Sequence, residues 1–130
     1  MFVDGEDRAV DYPTAENCEC GLAKARSLAW KIVLGEGDPA HLANGIYWAG
    51  YLNGGYALPS HDLCPELGDV ASEFVQIAYG LEHPKNEEAK RAYVIRAREA
   101  AEAFLAGRSL PEWEVTIDGI PRRRPPAQTT

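Results

Sequence analysis

Residues 67–81 read LGDVASEFVQIAYGL, and this stretch decides the fold. Leu67, Val70, Phe74, Ile77 and Leu81 recur at steps of three and four, which places them on one face of an α-helix. Pro65 marks the start, where its fixed φ suits the first turn, and Pro84 lies beyond the end. A single apolar face of this kind calls for neighbours to cover it.

Working outward, three more helices have the same character. Upstream, Cys18, Leu22, Ala25, Ala29 and Ile32 form a stripe that predicts a helix over 14–34, with Gly35 placed to end it in the left-handed conformation. Asp38 followed by Pro39 reads as the N-cap and first residue of a second helix running toward Gly54. Downstream, a fourth begins near 84–86, carries Glu87 and Glu88 in its first turn where the helix dipole favours anions, and ends at Gly107. Its apolar face is Tyr93, Val94, Ala97, Ala100, Ala101, Phe104 and Leu105. Residues 112–117, EWEVTI, then alternate polar and apolar ahead of Asp118-Gly119, a favoured hairpin turn. Trp113, Val115 and Ile117 are expected to face the helices, and residues 122–130, RRRPPAQTT, to form a flexible tail.

The expected fold is therefore mainly α: a four-helix bundle-like single domain with a short C-terminal β-hairpin. Residues 1–108 form the bundle with an irregular acidic N-terminus, and residues 109–130 supply the hairpin and an Arg/Pro-rich tail of the same domain. A length of 130 residues with 45% apolar and 25% charged side chains fits one ordinary globular core. No apolar run reaches the roughly 18–20 residues that cross a bilayer, and the acidic start at Asp4, Glu6 and Asp7 is unlike a signal peptide. Three cysteines are too few and odd in number for a disulfide framework, so reduced thiols and a cytoplasmic setting are expected.

Charge is distributed unevenly. Between Ile32 and Pro84 there is no Lys or Arg, yet seven carboxylates: Glu36, Asp38, Asp62, Glu66, Asp69, Glu73 and Glu82. The formal net charge of −7 repels nucleic acid phosphates, so no direct nucleic acid binding is expected, and no membrane association either. Part of the asymmetry can be consumed by pairing between neighbouring helices, since charge blocks usually form solvated faces. The second helix differs from the rest: residues 46–56, IYWAGYLNGGY, are apolar in several directions and rich in glycine. It reads as a central core helix that frays near Gly54 and Gly55, or else as a surface on which Trp48, with Tyr47 and Tyr51, meets a partner.

Chemical motifs are sparse. Cys18, Cys20, His61 and Cys64 are the residue types of a zinc site, arranged as a CxC and an HxxC pair, but the spacing is not that of established zinc motifs. Cys18 also falls on an apolar stripe where a small apolar role serves as well. No metal or cofactor is expected, and no catalytic residue stands out. No nucleophile elbow or phosphate-binding glycine loop is present.

Two functional readings follow. The favoured one is a small acidic helical protein–protein interaction module, an inhibitor or assembly subunit that docks on a basic partner surface, with nucleic-acid mimicry as one form. Its partner-binding residues are Glu36, Asp38, Trp48, Tyr51, Asp62, Glu66, Asp69 and Glu73. Self-association into a homodimer is a further expectation, because the aromatic helix and the hairpin both offer surfaces. The alternative is a helical metal-dependent hydrolase or small-ligand binder using the His61-Asp62 loop, with His41 upstream and Asp69 downstream.

Overall fold

The computed structural model describes residues 15–53 and 65–124, and within them all side chains except those of residues 15–17 and 51–53. The elements are α1 (Ala15–Leu34), α2 (Pro39–Asn53), α3 (Pro65–Glu82), α4 (Glu87–Ala106), β1 (Trp113–Val115) and β2 (Pro121–Arg123). α1 packs between α2 and α4, α3 does the same from the other side, and the diagonal pairs meet only sparsely. The expected mainly α bundle with a C-terminal hairpin is what the chain forms. The stretch that signalled it is also its centre. Among the described residues, four of the five largest fully buried side chains, Phe74, Leu67, Ile77 and Val70, come from α3, and the fifth, Ile46, from α2.

Helix ends follow from local chemistry. Gly35 and Gly107 close α1 and α4 in the same way, at φ of 74° and 72°, a backbone region that side chains with a Cβ rarely adopt. In both, two N–H groups turn back onto the last turn: Gly35 to Ile32 and Glu36 to Lys31, Gly107 to Phe104 and Arg108 to Ala103. At the opposite ends, the Asn86 side chain accepts the Ala89 N–H at 2.7 Å and Asp38 accepts that of His41 at 3.3 Å.

α2 departs from the expectation of a helix buried all round. Its buried residues, Leu42, Ala43, Ile46, Ala49 and Gly50, form one stripe against α1 and α3, while Trp48 is 46% exposed. Beside Leu42 and Ile46 the stripe holds Ala43, Ala49 and Gly50, and at Gly50 the helix comes close enough to α3 that a Cβ there would lie 2.3 Å from that of Ala71. The fraying predicted at Gly54 and Gly55 lies outside the described residues.

The hairpin also differs. Trp113 pairs with Arg123, Glu114 with Arg122 and Val115 with Pro121, leaving a loop over 116–120 that is longer than a two-residue Asp-Gly turn. Gly119 donates to Thr116 across that loop at 2.8 Å. Ile117 consequently sits at the loop tip, 95% exposed, and Val115 is also exposed, whereas Ile120 and Pro121 are buried in their place. Trp113 alone of the three expected inward residues turns toward the helices, half-buried. Of the expected tail, residues 125–130 lie outside the described residues, and the three arginines are not free. Arg122 and Arg123 belong to β2, and Arg124 continues the ladder by donating its N–H to Glu112 at 2.9 Å.

Candidate functional site

One basic residue is built into the apolar stripe of α4. Ala89, Tyr93, Arg96, Ala100 and Ala103 follow each other at steps of four and three, and all five are buried, Arg96 to 3% exposure. A guanidinium removed from water needs compensation. Glu73 on α3 provides it as a fork: Nε donates to Oε2 at 2.8 Å and Nη2 to Oε1 at 3.0 Å. Nη2 also reaches the Gln76 side-chain oxygen at 3.3 Å. Aromatic rings complete the surroundings, with the guanidinium carbon 5.8 Å from the Tyr93 ring centre and 5.9 Å from that of Trp113. Trp113 has a second guanidinium beside it, that of Arg123 at 5.7 Å, and Arg123 is held by Glu99 at 2.6 Å. The hairpin is thereby fastened over the α3–α4 seam by one indole and one helix carboxylate, that of Glu99.

Beside this fastening runs a cleft in two adjoining parts, of about 510 and 480 Å³, that share Asp69, Ser109 and Leu110. One wall is α3 from Pro65 to Gln76, and the other is the connector between α4 and β1. Arg96 and Trp113 both line the second part. Each carries one buried donor without a partner, Nη1 of Arg96 and Nε1 of Trp113.

The sequence-predicted partner residues scatter over the surface. Glu66 and Asp69 line the cleft, and Glu66 is also within 3.8 Å of Arg26 in an exposed pair. Glu73 is drawn into the fold by Arg96, so its carboxylate is engaged. Glu36 is exposed between α1 and α2, where Asp38 serves as a cap. Trp48 packs on Tyr47 with ring centres 5.2 Å apart. Asp62 and the side chain of Tyr51 lie outside the described residues.

The zinc set is divided. Cys18 is disulfide-bonded, which corrects the expectation of three reduced thiols and removes it as a thiolate ligand. Cys20 is an exposed free thiol, and His61 and Cys64 lie outside the described residues. Among the described residues no three His, Cys, Asp or Glu side chains gather to hold a metal ion. His41 is exposed on the first turn of α2. No helix among the described residues is long and apolar enough to cross a membrane.

The three arginines of the C-terminal segment meet carboxylates of the hairpin loop, α4 and the connector, not of the acidic middle: Arg122 with Asp118 at 3.1 Å, Arg123 with Glu99, and Arg124 with Glu112 at 3.6 Å. The site residues that sequence reasoning passed over are Arg96, Trp113 and the 107–112 connector. The signal for the first was present, a charge occupying an apolar position of a helical stripe. No family model, no curated protein and no solved structure matches the chain.

Proposed function

We propose that the chain is a protein–protein interaction module that meets a basic partner surface along α2 and α3. The observation that supports this reading is the charge of these two helices: α2 carries no Lys, Arg, Asp or Glu, and α3 carries four carboxylates and no base. The fold withdraws only Glu73 from that set, so Glu66, Asp69 and Glu82 remain at the surface. Trp48 and Tyr79 add exposed rings on the same helices, the residue types that anchor protein interfaces. A surface of one sign steers a basic partner and discourages acidic ones. Glu36, Asp38, Tyr51 and Asp62 extend the same acidic and aromatic set. The engagement of Glu73 shortens the row of carboxylates on α3, which weighs against nucleic-acid mimicry and for an ordinary basic protein surface as the target.

The test is capture from the native source by the immobilised chain, beside a variant carrying Glu66→Lys, Asp69→Lys and Glu82→Lys. A protein retained by the parent, lost by the variant and released as salt rises supports the reading. Retention by both, insensitive to salt, overturns it. A small-ligand reading draws on the cleft beside the hairpin; the metal-dependent hydrolase version depends on His61 and Asp62, which lie outside the described residues.

A further inference from the structure

We infer that the cleft between α3 and the hairpin is a binding site for a neutral amide group, whose carbonyl oxygen satisfies the free N–H groups of Arg96 and Trp113. Buried donors are almost always paired, and the two unpartnered here belong to residues that line one cleft, so the group that would satisfy them is an acceptor oxygen. The guanidinium carbon and the indole ring centre are 5.9 Å apart, so the two donors sit on neighbouring groups.

Charge decides between acceptors. Asp69, Glu73 and Glu112 line the cleft against Arg96 and Arg124, an excess of one negative charge, and the chain as a whole stands at −7. A carboxylate or phosphate would enter against that field, whereas an uncharged carbonyl keeps the hydrogen bonds without the repulsion. The walls suit the rest of an amide: Ser72, Ser109 and Gln76 offer oxygens for its N–H, and Leu110 and Pro111 an apolar flank.

Each donor exposes less than 1 Å². The ligand therefore enters with a tilt of the Trp113 ring, on the strand that closes the cleft. This site borders the acidic surface proposed for a basic partner and shares Asp69 with it, but its donors, Arg96 and Trp113, are no part of that surface, so either reading can fail without the other.

The chain contains three tryptophans, Trp30, Trp48 and Trp113, so their indole N–H resonances provide a reporter and two internal controls. The full chain would be titrated with N-acetylglycine N-methylamide, acetamide and sodium acetate, read by nitrogen–proton correlation spectra. The expected result is a saturable shift of the Trp113 indole and the Arg96 Nε–H with a neutral amide, while Trp30 and Trp48 stay in place. A response to both amides assigns the site to any carboxamide; a response to the diamide alone assigns it to peptide main chain. Trp113→Phe keeps the ring and removes the donor, and should weaken binding roughly five-fold, read at the Ser109 and Leu110 amides. Arg96→Lys, which keeps the charge and removes Nη1, is the companion variant. No saturable shift, acetate binding as well as the amides, or undiminished binding by a folded Trp113→Phe chain overturns the assignment.

Discussion

α3 meets its two neighbours by opposite means. Against α2 it is closed by the absence of side chains: a Cβ added to Gly50 would lie 2.3 Å from that of Ala71 and 3.3 Å from the Leu67 carbonyl oxygen. Against α4 it is closed by the presence of matched groups, Glu73 forked onto Arg96 with Gln76 and Trp113 beside them. The first seam is dry and intolerant of volume. The second is polar and intolerant of losing a partner. Close packing punishes added atoms, and a desolvated charge punishes a missing counter-charge. The proposed amide site attaches to the second seam, where Arg96 and Trp113 each hold a buried donor without a partner among the described residues.

The sharpest way to break this contrast is Glu73→Ala. It leaves a guanidinium buried without its carboxylate, which costs about 3–5 kcal/mol. Replacing both residues, as Glu73→Leu with Arg96→Met, removes the buried charge along with its partner and should cost far less than the single change. Urea denaturation of the two variants decides it. If the single variant lost less than about 1 kcal/mol, in the range of an exposed pair, the seam would not be desolvated and the contrast would fall.

Gly50→Ala probes the other side. The added methyl improves helix propensity by about 1 kcal/mol but must displace Ala71 and the Leu67 backbone, an overpacking cost of about 1–3 kcal/mol. A net loss of about 1 kcal/mol is expected in thermal or urea unfolding. Gly45→Ala is the calibrating change, since its Cβ would meet only the flexible end of Leu28, at 2.9 Å. That variant should be near neutral. Equal effects at the two positions would mean that the α2–α3 seam is no tighter than the α1–α2 seam.

The two seams were also unequally legible in the sequence. Periodicity marks which side chains turn inward, so Leu67, Val70, Phe74, Ile77 and Leu81 were readable as core, and the glycines and prolines around them as helix ends. The face of α2 was not, because Leu42, Ala43, Ile46, Ala49 and Gly50 are hard to separate from the apolar Tyr47 and Trp48 beside them until the partner helix is known. Arg96 sits on a visible stripe, but its counter-ion lies 23 residues away on another helix, and nothing local pairs the two. The hairpin was readable in kind and mistaken in register: a loop longer by three residues carries Ile117 to the tip and brings in Ile120 and Pro121. Of the candidate site, Glu66 and Asp69 were picked out for their charge alone, without the cleft that gives them a setting.

The smallest effect concerns the turn that closes the strand bearing Trp113. The Asp118 carboxylate accepts the Thr116 hydroxyl and, at 3.1 Å, the Ile120 N–H, with the Arg122 guanidinium also at 3.1 Å. The hydroxyl bond contributes most, then the backbone N–H and Arg122, and together they outweigh desolvation and hold its pKa below the ordinary aspartate value. A carboxyl group depressed in the folded state lends stability above its unfolded pKa and loses it as pH falls through the folded one. The turn should accordingly stay intact through the ordinary aspartate range and loosen only below about pH 4. In an acid titration by NMR, the Gly119 and Ile120 amides should move with a midpoint under that range, while the Ala71 amide in the dry seam does not follow. Asp118→Asn keeps an acceptor oxygen but cannot titrate, so it should flatten the step at Gly119 and Ile120. A step that persists unchanged in this variant would show that the acid response of the turn does not originate in Asp118, and this account of the turn would fall.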